Sequence, residues 1–387
     1  MKYSLSSLCE YRKGKVNVDG LNKDTYISTE NMLPNKGGVI RATSLPTTSQ
    51  TQEYKKGDVL VSNIRPYFKK IWQAEYDGGC SNDVLVFKAN ENTDKDFLYY
   101  VLADDAFFNY SMATSKGTKM PRGDKTSIMQ YGVPHYDIVE QKKIACVLRL
   151  LDKKIECNNK INNNLEQQAQ AIYRSWFVNY EPFDGTKQDD WSDGTIDDLG
   201  TEIICGKTPS TKKSEYYGGN TPFITIPDMH GCVYIVSTER YLSDAGVASQ
   251  PKKTLPPNTV CVSCIGTAGL VTLVSEESQS NQQINSIIPK EGISVYYIYL
   301  LMQTLADTIN KLGQSGSTIV NLNKTQFGKI QVMIPSELVL QDFDSLCRPL
   351  FDTILSNQKE NINLSELRDA LLPKLMSGEL DVSDIDL

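Results

Sequence analysis

The chain repeats itself with a period of about 200 residues, long enough for the repeating unit to be a whole domain. "GDVLVSNI" (57–64) resembles "NTVCVSCI" (258–265), and the two lead on to "CSNDVLVF" (80–87) and "QSNQQINS" (279–286). "FLYYVL" (97–102) answers "YIYLLM" (297–302), and the loop "SKGTKMPRGDKT" (115–126) answers "QSGSTIVNLNKT" (314–325). Each loop runs into a short strand ending in Pro134 or Pro335, and each proline precedes a long helical pattern. Short runs such as "DVLVS" and "TVCVS", set among Gly, Pro, Thr and Ser, suit strands. The fold class expected is therefore α+β: two tandem mixed α/β domains, each followed by a long helix, related by an internal pseudo-twofold. The predicted divisions are a first domain over 1–136, its helix over 137–178 and a polar, turn-rich linker over 179–190. A second domain over 191–336, its helix over 337–375 and a tail over 376–387 complete the chain.

In the first helix Ile144, Leu148, Leu151, Ile155, Asn158, Asn162, Leu165, Ala169, Ile172 and Trp176 follow spacings of four and three, the heptad signature of a coiled coil. A shift of 199 puts Phe343, Cys347, Leu350, Ile354, Asn357, Asn361, Leu364, Arg368, Leu371 and Leu375 in the same frame. Asparagine, a poor residue inside a helix, occupies the two middle layers of both. Between 155–165 and 354–364 six of eleven residues are identical. An antiparallel pair would bring Asn158 opposite Asn361 and Asn162 opposite Asn357. Amides in an apolar seam cost stability but fix register, because any slip strands a polar group among leucines. A frame of about 33 residues would then be a ruler roughly 50 Å long. The plainer alternative is two amphipathic helices, each packed on its own domain with solvated asparagines. Pro349 predicts a kink or a late start in the second helix.

The net charge of −7 comes from the end of the chain: residues 337–387 hold 4 basic against 11 acidic residues, whereas residues 1–135 hold 18 against 15. A local basic face is therefore compatible with the acidic total. No apolar run is long enough to span a membrane, and "MKYSLSSLCEYRKGK" lacks the apolar core of a secretory signal, so a cytoplasmic location is expected. The nine cysteines are scattered except for "CVSC" (Cys261 and Cys264), and only His135 and His230 could supplement it. That pattern favours buried thiols in a reducing compartment over a zinc site.

At this point the residues resemble a family, the specificity subunits of type I restriction–modification enzymes. "EQKKIACVLRLLDKKIE", "IYRSWFVNYEPFDG" and "ALLPKLMSGELDV" look like that family's shared regions, and "ICGKTPSTKKSEYYGGNTPFITIPDM" like the opening of a target recognition domain. The resemblance covers the whole chain. It implies a non-catalytic subunit whose two domains each read half of a bipartite target in double-stranded DNA. It also implies helices that dock two methyltransferase subunits, with restriction subunits joining that core. No cofactor is expected on this chain, since S-adenosylmethionine and ATP would be bound by the partners, and no membrane is involved.

Base edges are read by Arg, Lys, Asn and Gln, and phosphates by small polar side chains, Lys and backbone amides. In the first domain "NIRPYFKKIW" supplies Arg65, Tyr67, Lys69 and Lys70, and "CSND" supplies Asn82. "TSKGTKMPRGDK" adds Lys116, Lys119 and Arg122, with Lys125 behind them. In the second, "CGKTPSTKK" offers Lys207, Thr208, Ser210, Thr211, Lys212 and Lys213. "SNQQ" offers Asn281, Gln282 and Gln283, and "SGSTIVNLNK" offers Ser317, Thr318 and Asn321. For each of these a solvated turn is the competing explanation.

Catalytic signals are weak. "GKT" at 206–208 lacks the glycine that a phosphate loop needs at 201, where Thr201 stands. "YEPF" (180–183) lacks the paired prolines of an amino-methyltransferase motif, and no nucleophile elbow or helical metal pair is present. The alternatives left open are a coiled-coil adaptor without a DNA role, a specificity subunit of another methylation-based defence system, and an enzyme with a site of another kind.

Overall fold

In a computed structural model, residues 3–314 and 321–383 are described. The chain forms two compact units, Met1–Lys154 with Leu364–Leu387, and Ile155–Asn363.

In the first unit the strands Cys9–Tyr11, Val84–Ala89, Val59–Ser62 and Ile71–Gln73 form one antiparallel sheet in that order. A second sheet orders Lys15–Asn17, Gln50–Tyr54, Gly78–Cys80 and Tyr26–Ile27, its last pair parallel. Side chains alternate across a strand, so a strand buried on both faces feeds two cores. Val59, Val61, Leu85 and Phe87 pack with Phe97, Leu98 and Phe107 and with Ile144, Leu148, Leu372 and Leu375 of the long helices. Leu60, Val84 and Val86 face the other way, onto Tyr54, Trp72 and Cys80.

The second unit is built the same way. One sheet runs Gly200–Cys205, Ile284–Pro289, Val260–Ser263, Val271–Val274, Tyr234–Ile235, and the other Tyr241–Leu242, Tyr217–Ile224, Ser278–Ser280, Thr254–Leu255. Val260, Val262 and Leu273 meet Tyr173, Phe177, Phe343, Phe351 and Ile354, while Cys261, Val274 and Ile284 pack between the sheets. Cys264 lies in the first of these cores and Cys261 in the second, so the two thiols of "CVSC" do not converge on one point. Burial pushes each thiol up to about 12, away from the thiolate that a metal requires.

The long helices span Ile138–Phe177 and Glu337–Ser377. A reciprocal cap starts the first one: Asp137 accepts from the amides of Val139 and Glu140, and Glu140 accepts from the Asp137 amide. The second runs unbroken through Pro349, so of the kink or late start expected from that proline the late start does not occur. Loss of one helical hydrogen bond and the ring clash cost about 3 kcal/mol. Fully buried Phe343, Cys347, Phe351 and Ile354 straddle the proline, and burying side chains of that size contributes about 1.5–3 kcal/mol each, which outweighs it.

None of the twenty heptad residues is exposed. In the second unit the helices pair antiparallel. Asn158 donates to Asn361 at 2.9 Å and to Glu360 at 2.7 Å. Asn357 donates to Asn162 at 2.9 Å, and Asn361 to Asn159 at 2.8 Å. Asn158 and Asn162 are buried, whereas Asn357 and Asn361 are half-buried. In the first unit the antiparallel contact includes an ion pair, with Arg368 reaching Asp152 at 2.7 Å.

Candidate nucleic-acid interface

The strands Val59–Ser62 and Val260–Ser263 each end in a loop whose first residues make the same backbone contacts in both domains. The Asn63 amide donates to the Asp83 carbonyl at 2.8 Å, and the Cys264 amide to the Gln283 carbonyl at 2.8 Å. The Gly123 amide donates to Asn63 at 3.2 Å, and the Leu322 amide to Cys264 at 3.0 Å. Ile64 bridges Arg122 as Ile265 bridges Asn321. These contacts bring the loops after both strands together with "CSND" or "SNQQ" and with the loop before the next short helix. The grouping spans Arg65, Asn82 and Arg122 in one domain, and Gln282, Gln283 and Asn321 in the other.

In the first domain Arg65 and Lys69, both left-handed, flank a single turn over Pro66–Phe68. Tyr67 and Phe68 are exposed on that turn, and Asn82 is exposed as well. Most of the basic side chains have acquired internal partners. Lys69 pairs with Asp105 at 2.7 Å, and Lys36 shares the same carboxylate at 3.0 Å. Lys70 donates to the Thr29 carbonyl at 2.6 Å and lies over the Phe68 ring, and burial pushes its ammonium down. Lys116 pairs with Asp124, and Arg122 with Asp83 at 3.0 Å. Lys119 is exposed and has no ion pair among the described residues, and Lys125 is exposed too.

Asp124 also caps the short helix Lys125–Ile128 by accepting from the Ser127 amide. The Lys116 hydrogen bond first, and that amide second, hold its carboxyl at about 2, below the ordinary 3.8. A depressed carboxylate stabilises the fold above its unfolded value, and that contribution is lost as pH falls through the folded value. An NMR titration is therefore expected to place the Asp124 midpoint near 2, with the Lys116–Ser127 segment loosening only between about pH 4 and 2. A midpoint at the ordinary value would remove the pairing.

In the second domain several amides are occupied locally. Asn281 is buried and donates to Gln283 at 3.1 Å while accepting from its amide at 3.0 Å, so it builds the turn. Thr208 donates to Gln282 at 2.7 Å, and Gln282 itself is exposed. Lys213 donates to the Tyr216 hydroxyl at 3.0 Å and lies over its ring. Lys207, Ser210, Thr211, Lys212 and Asn321 are exposed. Thr211 lines an open cleft of about 490 Å³ with Tyr217, Arg240 and Tyr241. Ser317 and Thr318 lie outside the described residues. Residue types did not single out Asp83, Asp105 and Asp124, which decide which bases stay available. Asp124 alone carried a local signal, standing just ahead of a short helix.

Comparison with known proteins agrees with this architecture. The type I restriction modification DNA specificity domain matches residues 1–167 and 188–341. The specificity subunit of type I restriction enzyme HindI from Haemophilus influenzae is 31% identical, over 98% of this chain and 99% of that protein. The MjaIX specificity subunit from Methanocaldococcus jannaschii is 26% identical over 75% of this chain and 70% of its own length. In fold the chain is similar to the crystal structure of a type I restriction–modification S subunit from M. genitalium, with TM-score 0.58 and 16% identity over 97% of this chain and 96% of that one. Its two repeated domains and two long helices, together with a family match over most of its length, place the chain among the specificity subunits of type I restriction–modification enzymes.

Proposed function

We propose that each domain reads one half of an asymmetric, bipartite site in double-stranded DNA, and that the paired helices scaffold two methyltransferase subunits, which restriction subunits then join. The observation that carries this reading is one backbone path presenting different side chains: Asn82, Asp83 and Arg122 in one domain stand where Gln282, Gln283 and Asn321 stand in the other. A common scaffold with divergent contact residues suits two different half-sites at a fixed separation. The asparagine layers would hold the helix register that sets that separation. Catalysis, and with it the binding of S-adenosylmethionine and ATP, belongs in this reading to the partner subunits.

Mapping methylated adenines in the host genome with and without this gene tests the proposal. One bipartite motif should disappear on deletion and return on complementation. Loss of a contiguous motif, or an unchanged methylation pattern, would refute it. An adaptor without a DNA role also predicts no steep salt dependence of DNA binding in the assembled complex, where this reading requires one.

A further inference from the structure

At one point on the shared loop path the two domains differ in kind. Arg65 has φ 51° and Gly266, which follows the equivalent bridge residue Ile265, has φ 78°. Both lie in the left-handed region, so the two loops share this conformation at their third residue. Glycine adopts it freely, whereas an arginine does so against the clash of its Cβ with backbone. Crowding does not explain the glycine: a Cβ at 266 would meet Gln283 Nε2 at 3.5 Å, an ordinary contact.

Arg65 is also anomalous in its charge. Its Nε is buried without a hydrogen-bond partner, and its guanidinium forms no ion pair among the described residues. The bases around it do form them, Lys69 with Asp105, Lys116 with Asp124, and Arg122 with Asp83. A partly buried donor left unpaired is unfavourable, and here it coincides with an unfavourable backbone. Neither feature requires an arginine side chain, because glycine takes the same left-handed backbone at the equivalent position.

We infer that Arg65 is a specificity-determining residue of the first domain, its guanidinium taking the O6 and N7 edge of a guanine in one half-site. The inference rests on the bipartite DNA reading above. A planar five-donor fork matches that edge in two parallel hydrogen bonds. A phosphate can also take the fork bidentately, so base preference and salt slope are what separate the two contacts. The second domain has no side chain at this point, so its half-site is read instead from flanking positions such as the exposed Gln282.

The test uses the subunit assembled with its cognate methyltransferase subunits, methylating a plasmid library randomised across both half-sites. R65G keeps the left-handed backbone that Gly266 adopts at the equivalent position, and its melting temperature should not fall. Preference for guanine at one base pair of one half-site should drop about 10- to 100-fold, with the other half-site unchanged. R65K, which keeps the charge but not the fork, should lose the same preference while keeping the salt dependence. Uniform weakening on all sequences, with the salt slope reduced by about one, would make Arg65 a phosphate contact and overturn the inference. Unchanged guanine preference, or changes in both half-sites, would overturn it as well. A wild-type complex lacking any bipartite preference would overturn the reading beneath it, an outcome distinct from a wild-type preference that R65G leaves intact.

Discussion

Arg368→Ala is expected to destabilise the first unit by about 3 kcal/mol, and adding Asp152→Phe is expected to recover more than half of that loss. Arg368 occupies a heptad position and reaches Asp152 at 2.7 Å, with side-chain exposures of 22% and 14%. Asp152 accepts from the Tyr100 hydroxyl at its other oxygen, at 2.5 Å. Removing the arginine leaves a part-buried carboxylate without its ion-pair partner, and that loss costs more than the pair itself was worth. The second unit supplies the remedy. Shifted by 199, the pair becomes Phe351 and Ala169, both fully buried. The same frame thus tolerates an apolar pair at this layer. Hydrogen exchange of the amides in 138–154 would read the local effect, which a whole-chain melting curve can blur. An Arg368→Ala loss below about 0.5 kcal/mol would show the pair to be no more than a surface contact.

Phe343→Ala should cost the second unit about 3–5 kcal/mol, the usual range for deleting a fully buried aromatic. Phe343 is 0% exposed, and its ring lies 4.9 Å from Phe177, 5.9 Å from Trp176 and 6.4 Å from Tyr173. That cluster joins both long helices to the domain through Tyr297, 4.9 Å from Phe177. Truncation leaves a cavity that four rigid rings cannot collapse to fill. Phe343→Leu keeps most of the volume and should cost under about 1.5 kcal/mol. Urea unfolding followed by near-ultraviolet circular dichroism, which reports these aromatics, would separate the two variants. Equal losses would mean that ring packing is not what holds the helices there.

The repeat and the heptad frame were legible because both are one-dimensional: self-similarity and spacing survive without coordinates. The candidate contacts were legible only as residue types. "NIRPYFKKIW" reads as a uniformly basic, aromatic loop, yet Lys69 is paired with Asp105, 36 residues away, and Lys70 donates to a carbonyl 41 residues away. The late start expected at Pro349 failed for a related reason. A proline's local penalty is fixed, but whether a helix ends there depends on what its neighbours bury. Phe343, Cys347, Phe351 and Ile354 bury enough.

Sequence alone therefore determined the two domains, the two helices and the four seam asparagines, since periodic patterns encode which residues share a face. Tertiary structure alone decided which charges remain available for a partner. Pairing of a base with an acid is a matter of distance in space, and chain closure brings together residues that no window on the sequence contains. Arg65 shows the difference most plainly. In the sequence it is one basic residue among many; in the fold it is left-handed, partly buried and without an ion pair among the described residues, at the position where the other domain carries a glycine.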